Sequence, residues 1–591
     1  MSGSGLSLCL LLGRLQELGF PCGRRRVRLR PMRPRLPIGT SDFLQLRRDG
    51  LHYVDKSGFV VDVLRSTARV LLVPRPRRFG KTLNITTLAA FVGRTDEDRT
   101  DVFSDLEVWR AGDDVRAHFG RYPVIFLTFK DVKANEWPDC RARIAGLVAA
   151  ECRRVEAVIA PVLSPAESSL FRQLRDATAD NATLWEALVL LSEWLHRATG
   201  ERAVVLVDEY DTPIHAGFHH GYYDQVIELF RNLFSGAFKD NAHLEKGVLT
   251  GILRVAKESI FSGLNNLAVY TLLEPEMSQY FGFTADEVKA LAIASEAEDK
   301  LGEIEQWYNG YVFGGETVIY NPWSVVSYLM SQARIPRGYW AQTSSDDILR
   351  ELLIQRGLVS QADLETLLEG GAVTKVIDEH IVLRDVRENP DAVWSFLLFS
   401  GYLKPISARP AEDQWEVELA VPNREVRGVL DRMFRTFLVE GLHGSGRVQD
   451  LCAALLKADA KTFGRLLGEL MLATISYHDL AVRQPEAVYQ AFVLGLLVTL
   501  ERTHEVTSNR EAGYGRYDVL VAPRQAGGTG TVLELKVIET DEGETVETAL
   551  ESALSQLRER DYASALRERG AGTVYQLAAV FDGKRAFARA L

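Results

Sequence analysis

The stretch Leu71 to Asn84, LLVPRPRRFGKTLN, restricts what this chain can fold into more than any other. Val70-Leu71-Leu72-Val73 is a short apolar run that predicts a buried strand, and Pro74 and Pro76 break it. Gly80-Lys81-Thr82 then opens a segment with helical patterning, Leu83 to Val92. Strand, tight loop, Gly-Lys-Thr and helix form a layout that binds phosphate. Backbone N–H groups at the helix start meet anionic oxygens, the lysine adds a point charge, and the threonine hydroxyl can ligate Mg²⁺. The general pattern G-x-x-x-x-G-K-[ST] calls for a glycine five residues before Gly80, and Arg75 stands there. Arg75, Arg77 and Arg78 are expected to form a basic variant of this loop that replaces the close backbone approach of glycine with guanidinium contacts to phosphate.

A second apolar run, Ala203 to Val207, ends in Asp208-Glu209. An acid at the C-terminal edge of a neighbouring strand can enter a Mg²⁺ shell, and a second acid can polarise a water. Asp208 and Glu209 are expected in those roles. A third run, Gly247 to Leu253, offers Thr250 and Arg254 at its tip, either as phosphate contacts or as loop-capping residues. Another buried strand is expected at Val124 to Phe129, with helices over roughly 138 to 200.

The last hundred or so residues hold a separate constellation. Asp518 opens a strand after the hairpin-like stretch Asn509 to Tyr517, and Val532-Leu533-Glu534-Leu535-Lys536-Val537 alternates strictly, so Glu534 and Lys536 share a face. Two carboxylates and an ammonium grouped this way suit metal-assisted phosphodiester hydrolysis: the carboxylates hold Mg²⁺ and Lys536 orients water or neutralises developing charge. An exposed strand face with a plain Glu–Lys ion pair has the same pattern.

Between these ends, residues 273 to 385 read as mostly helical, with an aromatic cluster that includes Trp307, Tyr308, Tyr311, Trp323 and Trp340. The cluster is expected to be core, with base stacking as the alternative. Trp394 to Leu403 predicts a helix, Trp415 to Pro422 an edge strand, and Gly441 to Gly446 an interdomain break. At 591 residues the chain has length for roughly three to four domains. Its net charge of −11 leaves any nucleic-acid surface to a local basic patch, and its five scattered cysteines fit a reducing cytoplasm. No stretch approaches the roughly 20 apolar residues of a membrane span. Residues 1–35 are expected to be a disordered extension, with Met32 a candidate start. Arg24 to Arg30 would otherwise be a nucleic-acid arm.

Taken together, PIGTSDF, YVDKS, RPRRFGKT, VVLVDEYDTPI, LTGILRVAKESIFSGLNNL and WYNGY…IYNPWSVVSYL resemble the bacterial and archaeal AAA-ATPase-like family, and the C-terminal constellation resembles the PD-(D/E)XK nuclease superfamily. The resemblance implies an α/β fold in three parts: an N-terminal P-loop parallel sheet (36–272), a helical, winged-helix-like middle (273–430) with a helical linker (431–480), and a C-terminal mixed-sheet nuclease-like domain (481–591). It implies ATP and Mg²⁺ as cofactors at Gly80, Lys81, Thr82 and Asp208. It also implies Asp518, Glu534 and Lys536 as a catalytic set, with Gln556 as an accessory and Glu486 as a further metal-site acid. Where the superfamily carries Tyr-His, this chain has Tyr489-Gln490. The expected function is an ATP-binding protein coupled to a Mg²⁺-dependent nuclease acting on DNA or RNA, with homo-oligomers possible. The alternative is an ATP-dependent switch or scaffold that binds nucleic acid without cutting.

Overall fold

A computed structural model describes residues 34–591 apart from 254–265, 341–359, 381–382, 385, 387–388, 412–413, 441–444, 475–484, 501, 509–510, 513–514, 517, 539–543, 561 and 584. The N-terminal extension, Arg254 and most of the Gly441–Gly446 break lie outside the described residues.

The N-terminal part is a five-stranded parallel sheet in the order β2-β3-β4-β1-β5. Its strands are β1 (Val70–Pro74), β2 (Val124–Thr128), β3 (Ala203–Asp208), β4 (Leu244–Gly251) and β5 (Leu267–Val269). β1 and β3 are buried along their whole length, as the uninterrupted apolar runs dictate when helices cover both faces. Because β4 lies between β1 and β3, the C-terminal edges of three strands open onto one place. Helix α1 (Lys81–Val92) leaves the loop after β1. Helices α2 (Trp137–Ile159) and α3 (Tyr223–Phe238) belong to the flanking layers.

The middle carries a short hairpin, β6 (Tyr311–Phe313) and β7 (Thr317–Ile319), followed by helix α4 (Pro322–Met330). A three-stranded antiparallel sheet then has the order β8-β10-β9, built from β8 (Ala372–Ile377), β9 (Lys404–Ala411) and β10 (Gln414–Ala420). The strand expected at an edge, β10, is thus the central one. Its alternating pattern supplies Val417 and Leu419 to the core while its backbone pairs on both sides. Helix α5 runs from Pro390 to Phe399 and stops before Gly401, which takes φ 89°. Of the aromatic cluster, Tyr308, Tyr311 and Trp340 are buried core residues.

Helix α6 (Arg424–Glu440) leads to α7 (Ser445–Leu456), α8 (Ala460–Thr474) and α9 (Pro485–Leu497). Beyond them is a mixed sheet in the order β11-β14-β15-β16-β17. It comprises β11 (His504–Ser508), β14 (Val519–Pro523), β15 (Thr529–Val537), β16 (Thr573–Asp582) and β17 (Arg585–Ala590). A small hairpin, β12 (Glu511–Ala512) with β13 (Gly515–Arg516), precedes β14. Helix α10 (Val546–Glu559) covers one face of β15 and β16, and α9 packs on β15. Helix α8 lies against β17 so closely that a Cβ on Gly464 would stand 2.8 Å from the Ala588 backbone nitrogen. Residues 460–474 therefore share a core with the C-terminal sheet.

That contact reverses an ordinary substitution effect. In an unobstructed helix, Gly→Ala gains about 0.5–1 kcal/mol. Gly464→Ala is expected instead to lower the melting temperature, because overpacking against backbone costs roughly 1–3 kcal/mol. Differential scanning calorimetry of the two proteins checks the sign.

Candidate functional site

The loop between β1 and α1 has the strand–turn–helix layout expected of its Gly-Lys-Thr signature. Gly80 sits in the left-handed region at φ 85° and serves as the N-cap of α1. Arg78 also has a positive φ of 68°, a strained setting for a side-chain-bearing residue. Lys81 is buried, and its Nζ donates to the Arg75 and Pro76 carbonyls at 3.0 and 3.1 Å and pairs with Glu209 at 3.2 Å. Glu209 follows β3 with φ 53°, a second strained position at the same edge.

Asp208 is the hub. Thr82 Oγ1 donates to its Oδ2 at 2.9 Å, Thr128 Oγ1 to the same oxygen at 3.1 Å, and Thr250 Oγ1 to Oδ1 at 2.8 Å. Burial, and next the Glu209 charge, raise the Asp208 pKa, while the Thr250 and Thr82 hydrogen bonds and the Lys81 charge oppose that rise. Thr128 is not among the sequence candidates. A hydroxyl closing the apolar run of β2, as Thr250 closes that of β4, is the signal that marks it. Asp211 is a further buried member: its Oδ2 accepts the backbone N–H of Ile252 at 2.7 Å and of Leu253 at 3.2 Å, fixing the exit of β4.

Arg75 does not face this site. It is fully buried, its Nη1 donates to the Pro74 and Tyr270 carbonyls at 2.8 and 2.6 Å, and its guanidinium lies 5.1 and 5.5 Å from the ring centroids of Phe281 and Phe313. The expected phosphate contact is replaced by a cation–π seat, because apolar rings from the following segment close over the side chain. Arg78 does line the site, with its guanidinium 4.4 Å from the Trp323 ring centroid. The rest of the loop is gripped the same way. Phe79 meets Tyr311 edge-on at 4.8 Å, Pro76 abuts Gly401, and Trp340 Nε1 donates to the Arg77 carbonyl at 3.2 Å. Trp340 is itself held by Glu425 of α6, whose Oε1 accepts its backbone N–H at 2.7 Å and whose Oε2 accepts the Ser324 hydroxyl at 2.7 Å.

In front of the loop lies a cavity of about 510 Å³. Gly80, Lys81, Thr82 and Glu209 form its polar wall, and Leu36, Leu291 and Val326 contribute apolar surface. Volume and lining suit a ligand with an anionic tail and a flat, less polar head.

The C-terminal constellation also assembles. The register of β14 on β15, Val519 opposite Leu533, puts Asp518 across from Glu534. Asp518 Oδ2 accepts the Leu535 N–H at 2.7 Å, and Gln556 of α10 donates to Glu534, which is buried. Lys536 reaches the same side of β15 but is engaged there, its Nζ 3.0 Å from both Glu544 Oε1 and Ser552 Oγ. Gln490, at the position where the resemblance expects histidine, donates to the Asp518 carbonyl at 3.0 Å. Glu486 lies one turn before Gln490 on α9. Among the described residues no group of three or more His, Cys, Asp or Glu converges. A two-carboxylate set suits Mg²⁺, which keeps several waters when protein-bound.

Comparison with known proteins agrees with this layout. A family model described as "Predicted AAA-ATPase" matches residues 37–261, and one described as "PD-(D/E)XK nuclease superfamily" matches residues 484–590. The chain is similar to an "Uncharacterized protein in vnfD 5'region" of Azotobacter chroococcum mcd 1. The two are 30% identical over 554 residues, covering 91% of this chain and 95% of that protein.

The Glu425 clamp has a pH signature. Burial pushes its carboxyl from 4.5 to about 7 against the Ser324 and Trp340 hydrogen bonds. Between those pH values the native state binds more protons than the unfolded state, so stability falls as pH rises through them, by up to about 3 kcal/mol. Glu425→Gln, which keeps an acceptor for Trp340, is expected to flatten that slope in melting temperatures recorded from pH 5 to 8.

Proposed function

Because the chain belongs to the AAA-ATPase-like family with a PD-(D/E)XK nuclease-superfamily C-terminus, we propose that it binds Mg²⁺-ATP at the β1–α1 loop and uses nucleotide state to govern a nuclease-like site acting on DNA or RNA. The observation that carries the reading is that Lys81 and Thr82 stand on the wall of one cavity at the C-terminal edge of a parallel sheet, with buried Asp208 hydrogen-bonded directly behind Thr82. On this reading the N–H groups at the start of α1, together with Gly80, receive phosphate, and Lys81 leaves the loop carbonyls to meet it. Thr82 and Asp208 would hold Mg²⁺, which supplies charge neutralisation when bound. Glu209 orients water for hydrolysis, and Thr250, expected as a phosphate contact, instead lies buried behind the cavity and holds Asp208. Arg254 is proposed beside Thr250, on the resemblance alone.

At the other end, Asp518 and Glu534 would hold Mg²⁺, with Glu486 as a further acid. Gln556 positions Glu534, and Lys536 acts on the attacking water once it exchanges Glu544 and Ser552 for substrate. On this reading the nucleotide-binding unit spans 36–272, the middle 273–430 and the nuclease-like unit 481–591, with 431–480 connecting them and its residues 460–474 packed onto the C-terminal sheet. A second reading, nucleic-acid binding without cleavage, is favoured by one observation: Lys536 already satisfies its charge on Glu544.

Two measurements test these claims. Mg²⁺-ATP is expected to raise the melting temperature of the wild type by several degrees, and Lys81→Ala or EDTA to remove that increment. Purified protein is expected to cut plasmid, single-stranded DNA or RNA with Mg²⁺ and ATP. Glu534→Ala should slow cleavage by roughly 100-fold or more while leaving retention on nucleic acid intact. Cleavage of no substrate under any combination of metal and nucleotide would leave the binding-only reading.

A further inference from the structure

We propose that the turn after β2 places Lys130 and Lys133 on the terminal phosphate of a bound nucleoside triphosphate, so that these two residues distinguish triphosphate from diphosphate. The inference rests on the nucleotide reading above and deepens it.

The turn is built to present them. Phe129, Val132 and Ala134 are buried, while Lys130, Asp131 and Lys133 are exposed. The Phe129 N–H donates to the Asp208 carbonyl at 2.9 Å, and the Val132 N–H closes the turn onto the Phe129 carbonyl at 2.9 Å. Tyr222 Oη pins the far end through the Ala134 carbonyl at 2.6 Å. The Phe129 ring sits edge-on against Phe230 of α3 at 5.0 Å. Three buried anchors thus fix the direction in which the lysines leave.

The direction is toward the cavity, since both lysines line it together with Gly80, Lys81 and Thr82. Their place along the phosphate chain follows from Thr128, two residues before Lys130, which donates to the Asp208 oxygen that also accepts Thr82. Thr82 and Asp208 mark the metal side, where the outer phosphates of a triphosphate lie when the inner ones rest on the helix start. The sheet order puts β2 beyond β3, on the side away from β1. The apolar lining residues Leu36, Leu291 and Val326 come from segments outside the sheet and suit the other end of the ligand.

Availability separates these lysines from the others in the cavity. Lys81 is committed to loop carbonyls and Glu209, and Lys56 to the Gln279 carbonyl and Glu287. Among the described residues, the ammonium groups of Lys130 and Lys133 meet no hydrogen-bond or ion-pair partner. Asp131 between them lines the same mouth, so the turn adds one net positive charge. A diphosphate ends short of that charge, whereas a triphosphate meets it.

The test is isothermal titration calorimetry of the full chain with Mg²⁺-ADP and with a non-hydrolysable Mg²⁺-ATP analogue. Lys130→Ala/Lys133→Ala is expected to weaken the triphosphate analogue about 10-fold or more and to leave ADP within about twofold. Lys130→Arg/Lys133→Arg is expected to restore the difference. Equal weakening of both ligands, or no change in either, overturns the inference while the nucleotide reading stands. A wild type that binds neither ligand overturns both.

Discussion

Three hydroxyls converge on one buried carboxylate, and the geometry of the N-terminal site depends on that meeting. Thr82 comes from the start of α1, Thr128 from the end of β2 and Thr250 from the end of β4, while Asp208 ends β3 between them. A carboxylate taken out of water is costly unless its lone pairs are filled, and hydroxyl donors are the mildest way to fill them. They satisfy the oxygens without supplying a formal positive charge, so burial still raises the Asp208 pKa. Glu209, strained into a positive φ and paired to Lys81, adds a second charge that desolvated Asp208 must tolerate. A strained backbone at Glu209 beside a buried carboxyl is a cost that a purely structural strand end would avoid.

The loop facing Asp208 is held from outside its own sheet. Phe79, Pro76, Arg77 and Arg78 rest respectively on Tyr311, Gly401, Trp340 and Trp323, and Arg75 is sealed under Phe281 and Phe313. Trp340 hangs from Glu425 at the start of α6, and α6 packs along α9, whose Gln490 holds the Asp518 carbonyl. The two chemical sites are therefore joined by a continuous run of packed groups. Continuity of that kind permits coupling. Only a shift in one site when the other is filled would measure it.

Much of this was legible in the sequence because the signals are local. Buried parallel strands read as unbroken apolar runs, and Gly80-Lys81-Thr82 becomes readable as a phosphate-type loop once Asp208-Glu209 and the family resemblance stand beside it. Glu534 and Lys536 share a face because a strand alternates. What escaped was set by distance along the chain. Arg75 reads as a phosphate ligand until residues some two hundred positions later close over it, and β10 reads as an edge until β8 is known to pair with it. Thr128 and Glu425 lack a motif, and their partners are supplied only by the fold. Lys536 has the right neighbours in sequence, but Glu544, beyond the end of its strand, decides what its ammonium touches.

The grip on the loop bears on how such a protein can be taken apart or recombined. The family match ends at residue 261, yet β5 and every ring that packs the loop's arginines and Phe79 lie beyond that point. A fragment cut at that border would carry the Gly-Lys-Thr signature and lose the walls that shape it. In a shuffled ancestor or a chimera, PRPRRF has to travel with residues 270 to 402 as one inherited piece. The module that shapes this loop is therefore larger than the motif that announces it.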